Sequence, residues 1–304
     1  MVIPTYNRKS KLMRLLKSIA ENDYSNLEII VVDDNSTDGT AEEVKKIKNV
    51  TLIRNDRELL LAASRNIGIK RSNGDYVLIV DDDNILSKEL IQKLLEGFNS
   101  KTEPPIGIMA PMMFYFKERS RIWCCGIKIG MISSLTKIIG RDEINVGQYT
   151  KLIESQGFPN AFMIKREVFD RVGLFDEKTF PIHYDEADFG ERVRKHYKIV
   201  CNPQAKIWHD ISLPHKIKNK ARSLHCYNKI RAYYCGRNRI LFHRRHSKKW
   251  QFTLFVLFFN WFFAIYYIEV ILFGSKKVLR ERLKIASYYV KGVLDGLTGV
   301  TKSV

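Results

Sequence analysis

Cysteine is scarce in this chain and has no partner spacing. Cys124, Cys125, Cys201, Cys226 and Cys235 are odd in number and form no metal-ligand pair of the Cys-x-x-Cys type. A disulfide scaffold and a zinc ribbon are thereby excluded, and reduced, mostly buried thiols in a cytosolic compartment are expected. Acidic residues are outnumbered, 33 Asp and Glu against 51 Lys and Arg, for a net charge of +18. Anionic partners follow from that balance: nucleic acid, anionic lipid or phosphorylated substrates. The 304 residues contain no internal repeat and no low-complexity linker, and their length allows one or two domains. No signal peptide is read ahead of Met1-Val2-Ile3-Pro4, which already looks like the end of a strand. A Gly-rich phosphate loop carrying Lys or Arg is also missing after that strand, where Pro4-Thr5-Tyr6-Asn7 stands instead.

What the chain does have is centred on Tyr76-Val77-Leu78-Ile79-Val80, followed directly by Asp81-Asp82-Asp83-Asn84. Five apolar residues without polar alternation describe a strand buried on both faces, as in the middle of a parallel sheet. Ligands of open α/β sheets bind at the carboxyl ends of strands, where these three carboxylates fall. Adjacent like charges raise one another's pKa values unless a cation sits among them, most simply a divalent metal held by oxygen ligands. The plainer alternative is a solvated acidic turn capping the next helix.

Upstream, strand and helix alternate with short turns, the pattern of a βαβ sheet. Leu12, Leu15, Leu16 and Ile19 fall at i, i+3, i+4 and i+7 and predict a helix from about Ser10. Leu27–Val32 reads as a strand that also ends in acids, Asp33-Asp34, before the polar loop Asn35–Thr40 and a helix through Ile47. Val50–Ile53 is a third strand, and Ala62–Lys70 a helix that stops at Ser72-Asn73-Gly74. Further on, residues 85 to 99 predict a helix and Ile106–Phe116 a buried strand, while residues 117 to 157 show no clear period. Two strands thus bring acids to one sheet edge.

Pro4-Thr5-Tyr6-Asn7-Arg8, Val31–Thr40, Ala63-Ser64-Arg65-Asn66-Ile67-Gly68 and Gly74–Asp83 together resemble, in order and spacing, the signatures of family 2 inverting glycosyltransferases with the GT-A fold, in a rhamnosyltransferase-like, membrane-associated subgroup. The resemblance runs to about residue 215. It departs at the start, where family members carry several apolar residues before this motif and the chain has Met1–Ile3 alone.

The resemblance implies an α/β GT-A fold, mostly parallel in its central sheet, spanning 1–215. It implies a nucleotide-sugar pocket lined by Pro4, Thr5, Tyr6, Asn7, Arg65, Asp81 and Asp82, with Asp33 or Asp34 accepting from the base. It further implies a divalent cation, Mn²⁺ or Mg²⁺, held by Asp81, Asp83 and His209. Family members carry an acidic pair followed by x-Asp-hydrophobic, matched here by Asp185-Glu186-Ala187-Asp188-Phe189, and the second acid of the pair is the general base. That role falls on Glu186, with Asp185 as the alternative and Asp188 as an anchor. Read without the resemblance, the same acids are simply favourable at a helix N-terminus. His209, at the end of Ile199–Asp210, is likewise a satisfied polar residue or an imidazole ligand. The shared expectation is that Asp83, Glu186 and His209 serve one ion and one sugar diphosphate; the remaining histidines are read as surface or membrane-proximal.

Basic residues crowd from Lys216 to Lys249, including Lys218, Lys220, Arg222, Arg237, Arg239 and Arg245, just before the uncharged stretch Trp250–Ile268. Such a stretch is long enough to enter or cross a bilayer, and basic clusters flank both ends. Residues 216–249 are therefore read as a membrane-proximal segment and 250–304 as hydrophobic helices that anchor the catalytic domain to the cytoplasmic face of a membrane. Ile285–Val304, with Gly292, Gly296 and Gly299, is read as a second short interfacial helix. A glycan or lipid-linked acceptor follows from that placement. Two other readings stand beside this one: a nucleotidyltransferase, which would want the missing phosphate loop, and a membrane-recruited nucleic-acid-binding module, whose phosphates the acidic edge would repel.

Overall fold

The apolar runs become strands at the expected places. In the computed structural model, β1 (Val2–Thr5), β2 (Ile29–Asp33), β3 (Val50–Arg54) and β4 (Tyr76–Val80) alternate with helices α1 (Lys9–Ala20), α2 (Thr40–Val44) and α3 (Leu61–Arg71). These strands pair in parallel in the order β3-β2-β1-β4. Successive residues of a strand point to opposite faces. Ile3, Val31, Leu78 and Val80 accordingly pack with Leu12, Leu15 and Leu16 of α1, while Val2, Val77 and Ile79 pack with Ala62 and Ile69 of α3. Both faces of the sheet are covered, which is why its strands carry unbroken apolar runs.

The described residues are 1–213, 221, 224, 226–275 and 277–301. Lys216, Lys218, Lys220 and Arg222 of the basic run lie outside them. Two compact units are present, one of residues 1–128, 137–175 and 189–211, the other of 129–136, 176–188 and 212–304.

The chain continues through β5 (Asn84–Leu86), α4 (Leu90–Phe98), β6 (Ile106–Tyr115), β7 (Glu118–Cys124), β8 (Ile127–Ile129), β9 (Thr136–Ile138), β10 (Ile153–Ser155), β11 (Ala161–Lys165), α5 (Arg166–Val172), α6 (Asp185–Val193), whose first turn falls in the second unit, and β12 (Lys198–His209). The main sheet has the order β10-β12-β6-β11-β4-β1-β2-β3, with β5 on β12 and β7 on β6. Only its β3-to-β4 half and the β6–β12 pair are parallel; β5, β7, β10 and β11 run antiparallel, so the sheet is mixed. Ile85 and Leu86, expected in a helix, belong to β5 because this strand pairs with the end of β12, Asn84 opposite His209. The stretch 117–157 holds four short strands, and the register shifts in β7 break the alternation that would have announced it. Pro203 is accommodated in β12 at the irregularity between Asn202 and Lys206.

The second unit contains α7 (Lys229–His246), α8 (Lys249–Phe273, with a π turn at Phe255–Phe259) and α9 (Leu279–Thr298). Helix α9 is longer than the expected short helix, 20 residues, and lies against α7 through glycines. A Cβ on Gly292 would stand 2.1 Å from the Tyr233 carbonyl oxygen, and one on Gly236 would stand 2.8 Å from that of Tyr289. Only glycine permits backbones this close. Helix α8, apolar all round in sequence, buries Phe255, Asn260, Phe263, Ala264, Tyr267, Val270 and Ile271 in the unit's core and exposes the opposite face. Of α7, Arg237, Arg239 and His243 are buried, so this part of the basic run is not presented to a surface, and the side chains of His243 and His246, expected to be surface or membrane-proximal, are not on the surface.

Candidate active site

The site residues of the first unit emerge where β1, β2 and β4 end. Asp82, buried after β4, accepts from Thr5 Oγ1 at 2.8 Å and from Arg8 Nη1 at 3.0 Å. The same Arg8 nitrogen reaches Asp83 Oδ2 at 2.9 Å, and Lys11 Nζ approaches that oxygen at 3.5 Å. Two cations thus lean on a carboxylate pair that otherwise repels itself. Burial, only partly offset by Arg8, pushes the Asp82 carboxyl up to about 7. Burial acts on Asp83 as well, but His209, Arg8 and Lys11 outweigh it and hold that carboxyl well below the usual carboxylate range.

Asp83 Oδ1 and His209 Nε2 face each other at 3.3 Å. This buried Asp83 oxygen makes no hydrogen bond among the described residues, nor does His209 Nδ1. Asn160 Nδ2 lies 3.1 Å from His209 Nε2, and the Trp123 ring packs edge-on against the imidazole at 4.8 Å. A buried carboxylate oxygen without a hydrogen bond, whose described neighbour is the imidazole nitrogen, suits a shared cation: adjacent ligands about 2.1 Å from an octahedral ion stand about 3 Å apart. Asp83 and His209 therefore fit a divalent metal. Asp81 is differently engaged. Its carboxylate pairs with Arg65 at 3.0 Å and its N–H donates to the Asn160 carbonyl. Among the described residues no three His, Cys, Asp or Glu side chains gather as a ready-made cage; of the expected trio, Asp83 and His209 face each other while Asp81 is turned to Arg65.

At the end of β2 the two acids divide their work. Asp34 is consumed by the fold: Asn55 Nδ2 and the N–H groups of Leu59 and Leu60 donate to it at 2.8 Å each, fixing Leu60 in a left-handed conformation at φ 71°. Asp33 Oδ1 accepts from Ser36 N–H at 3.0 Å, while its buried Oδ2 has no hydrogen-bond partner among the described residues. That oxygen stands 3.7 Å from Arg54 Nε, an ion pair without a hydrogen bond, so of the two acids Asp33 has the less committed carboxylate. Asn7 ties the ends of β1 and β2 together, its N–H donating to Ser36 Oγ and its Oδ1 accepting from Thr37 N–H, both at 2.8 Å. Pro4 lies buried within β1, and Tyr6 is exposed beside it. Arg65 is fully buried between Phe162 and Phe175 and pairs with Asp81.

Arg8, Lys11, Asn55 and Asn160 were not singled out from the sequence. Arg8 closes the Pro4–Arg8 motif and Lys11 follows three residues later on the same helix face, a signal that could have been read. Asn55 and Asn160 offered none, because their roles come from pairing across the sheet.

In the second unit, Asp185, Glu186 and Asp188 occupy the first turn of α6. Asp185 and Asp188 are buried and Glu186 is half-exposed. Asp188 Oδ1 accepts from Arg245 Nη1 at 2.9 Å and pairs with His246 Nε2 at 2.8 Å, which makes it the anchor of the turn.

A sequence profile described as "Glycosyl transferase family 2" matches residues 1–173, more than half of the chain. The chain belongs to that family. Its curated relatives include the dTDP-rhamnosyl transferase RfbF of Shigella flexneri, 26% identical over 99% of this chain and 95% of that protein. An uncharacterized glycosyltransferase of Haemophilus influenzae is 39% identical, but over 31% of this chain and 32% of its own length. Among solved structures, the mannosyltransferase PcManGT of Pyrobaculum calidifontis, in complex with GDP-Man and Mn²⁺, superposes with a TM-score of 0.59 at 17% identity, covering 98% of this chain and 86% of that one. S. aureus TarS 1–349 in complex with UDP-GlcNAc gives 0.56 at 16% identity, over 98% and 91%. The GT-A fold of this glycosyltransferase is thereby established, and the reading as a nucleotidyltransferase or nucleic-acid module gains nothing.

Proposed function

We propose that this glycosyltransferase moves a sugar, with inversion, from a nucleoside-diphosphate donor to a hydroxyl of a glycan or lipid-linked acceptor at the cytoplasmic face of a membrane. The observation that carries the reading is the facing pair of Asp83 Oδ1 and His209 Nε2, beside the Asp82–Thr5–Arg8 cluster at the end of β4. It is supported by the GDP-Man and Mn²⁺ of one structural neighbour and the UDP-GlcNAc of another. Asp33 Oδ2 accepts an N–H of the base, and Thr5 and Asp82 border the ribose and diphosphate. A Mn²⁺ or Mg²⁺ ion held by Asp83 and His209, when bound, neutralises the charge that grows on the departing diphosphate.

Glu186 takes the proton of the acceptor hydroxyl as that oxygen bonds to the anomeric carbon and the bond to the diphosphate breaks, giving inversion. Its half-exposure, against the burial of Asp185, favours it as the base. Thermal shift against UDP-, GDP- and dTDP-sugars with Mn²⁺ or Mg²⁺ tests donor binding, since a ligand of the native state raises the melting point by mass action. Glu186→Gln should bind the selected donor normally and release nucleoside diphosphate at least a hundredfold more slowly, at a rate still above the enzyme-free background; normal turnover by this variant removes Glu186 from the mechanism.

Membrane attachment is part of the same proposal. Helix α8 is long and apolar enough to cross a bilayer, but it packs on α9, which carries Arg280, Glu281, Arg282, Lys284 and Lys291. A crossing would draw those charges into hydrocarbon at high cost. The outer face of α8, with Phe258 64%, Phe262 65% and Ile265 69% exposed, instead suits a helix lying in the interface, with the flanking Lys248, Lys249 and Lys277 at the lipid headgroups.

A further inference from the structure

Within the second unit, α7 grips the segment that leads into Asp185 and Glu186. His183 and Tyr184, just before these acids, both adopt left-handed backbone, at φ 61° and 62°. Two consecutive side-chain-bearing residues in that region are unfavourable and persist only when their surroundings over-determine them.

Those surroundings are supplied by one face of α7. The Asn238 amide nitrogen donates to the carbonyls of Ile182 at 2.9 Å and His183 at 3.0 Å, while its oxygen accepts from Arg237 Nε at 2.9 Å. Asn238 is completely buried, and the opposite orientation of its amide would set oxygen against two carbonyls, so its bonds define its placement. Arg237 donates to the Thr179 carbonyl, and Arg239 Nε donates to the Tyr184 hydroxyl at 3.1 Å. Phe242 packs on the Tyr184 ring at 5.3 Å, and Arg245 bridges Asp176 and Asp188. Positions 238, 242, 245 and 246 recur at i, i+4, i+7 and i+8, one stripe of a helix directed at one loop.

We infer that Asn238 is a positioning residue for transfer: through the Ile182 and His183 carbonyls it maintains the left-handed turn that sets the direction in which α6 starts, and so where the Glu186 carboxylate stands. This rests on the assignment of Glu186 as base. Asn238 acts on Asp185 and Glu186 through the backbone it holds.

The test follows nucleoside diphosphate release with water as acceptor, using the sugar nucleotide selected by thermal shift and rates normalised to titrated donor sites. Asn238→Ala should lower release at least tenfold, leave donor Kd within twofold, and speed amide exchange at residues 180–188 about tenfold while residues 76–84 keep their protection. If Asn238 acts through Glu186, the double variant Asn238→Ala/Glu186→Gln is no slower than Glu186→Gln alone. A structural loss would multiply instead, and multiplied losses overturn the inference. So does wild-type release by Asn238→Ala while Glu186→Gln is slowed. Normal release by Glu186→Gln marks the failure of the base assignment rather than of the clamp. Should Asn238→Ala not fold, Asn238→Ser, which retains one donor, and Tyr184→Phe, which deletes only the hydroxyl facing Arg239, carry the same comparison; wild-type rates in both overturn the inference.

Discussion

Asp83 presents one carboxylate oxygen to His209 Nε2 at 3.3 Å and gives the other to Arg8. The carboxylate is thus split between a fixed protein cation and a place suited to a removable one. Asp83→Asn keeps the shape and drops the charge. Calorimetry should show donor affinity in Mn²⁺ falling at least tenfold, and His209→Ala should weaken it less, because carboxylate supplies the charge the ion needs. Equal donor affinity for wild type in Mn²⁺ and in chelator would exclude a metal from this pair.

A pH effect should come from α7. Burial, reinforced by the charge on Arg239, lowers the His243 pKa to about 4, and its ring stacks on Phe255 at 4.2 Å. Above about pH 6.5 the imidazole is neutral in both folded and unfolded chains. As pH falls from there toward 4, the unfolded chain takes up a proton that the folded one refuses, so stability is lost across that window. Between pH 7 and 5 the wild type should lose about 2 kcal/mol that His243→Gln does not. Urea unfolding of both proteins at the two pH values measures this, and parallel losses would refute it.

Attachment to lipid should be removable without touching transfer. Phe262→Glu with Ile265→Lys places charge on the outer face of α8, whose aromatic and aliphatic side chains otherwise meet the interface. Co-sedimentation with vesicles containing anionic lipid should fall at least tenfold, while nucleoside diphosphate release from a soluble donor stays near wild type. Undiminished sedimentation would place the contact elsewhere.

The glycine seam between α7 and α9 gives a stability prediction. Gly292→Ala forces a methyl group to within 2.1 Å of the Tyr233 carbonyl unless the helices part. Overpacking, less the better helix propensity of Ala, should cost about 2 kcal/mol, against little change for the exposed Ser287→Ala control. Equal melting points for the two variants would show that the seam can spread freely.

Much of the first unit was legible because its physics is local. Apolar runs between turn residues gave β1 to β4, and the acids at their ends marked the site before any contact was known. Residues 117–157 were opaque because short, bulged edge strands owe their existence to partners far along the chain. Helix α8 was misleading in a different way: a segment apolar all round carries no period to say which face is covered. The basic pattern of α7 read as a membrane-facing run. Arg237, Arg239 and Arg245 meet loop groups more than fifty positions earlier, and no spacing within the helix announces such partners. The same applies to Asp33 and Asp34, identical in sequence context and separated only by which hydrogen-bond donors the fold brings to each.

The clamp of α7 on residues 176–188 has a practical corollary for protein engineering. A shortened gene ending near residue 215, the natural place to cut if the hydrophobic tail is regarded as a mere anchor, would delete Asn238, Arg245 and the helix that braces them. Its product would retain every donor-side carboxylate and yet be a receptor for sugar nucleotides instead of a catalyst.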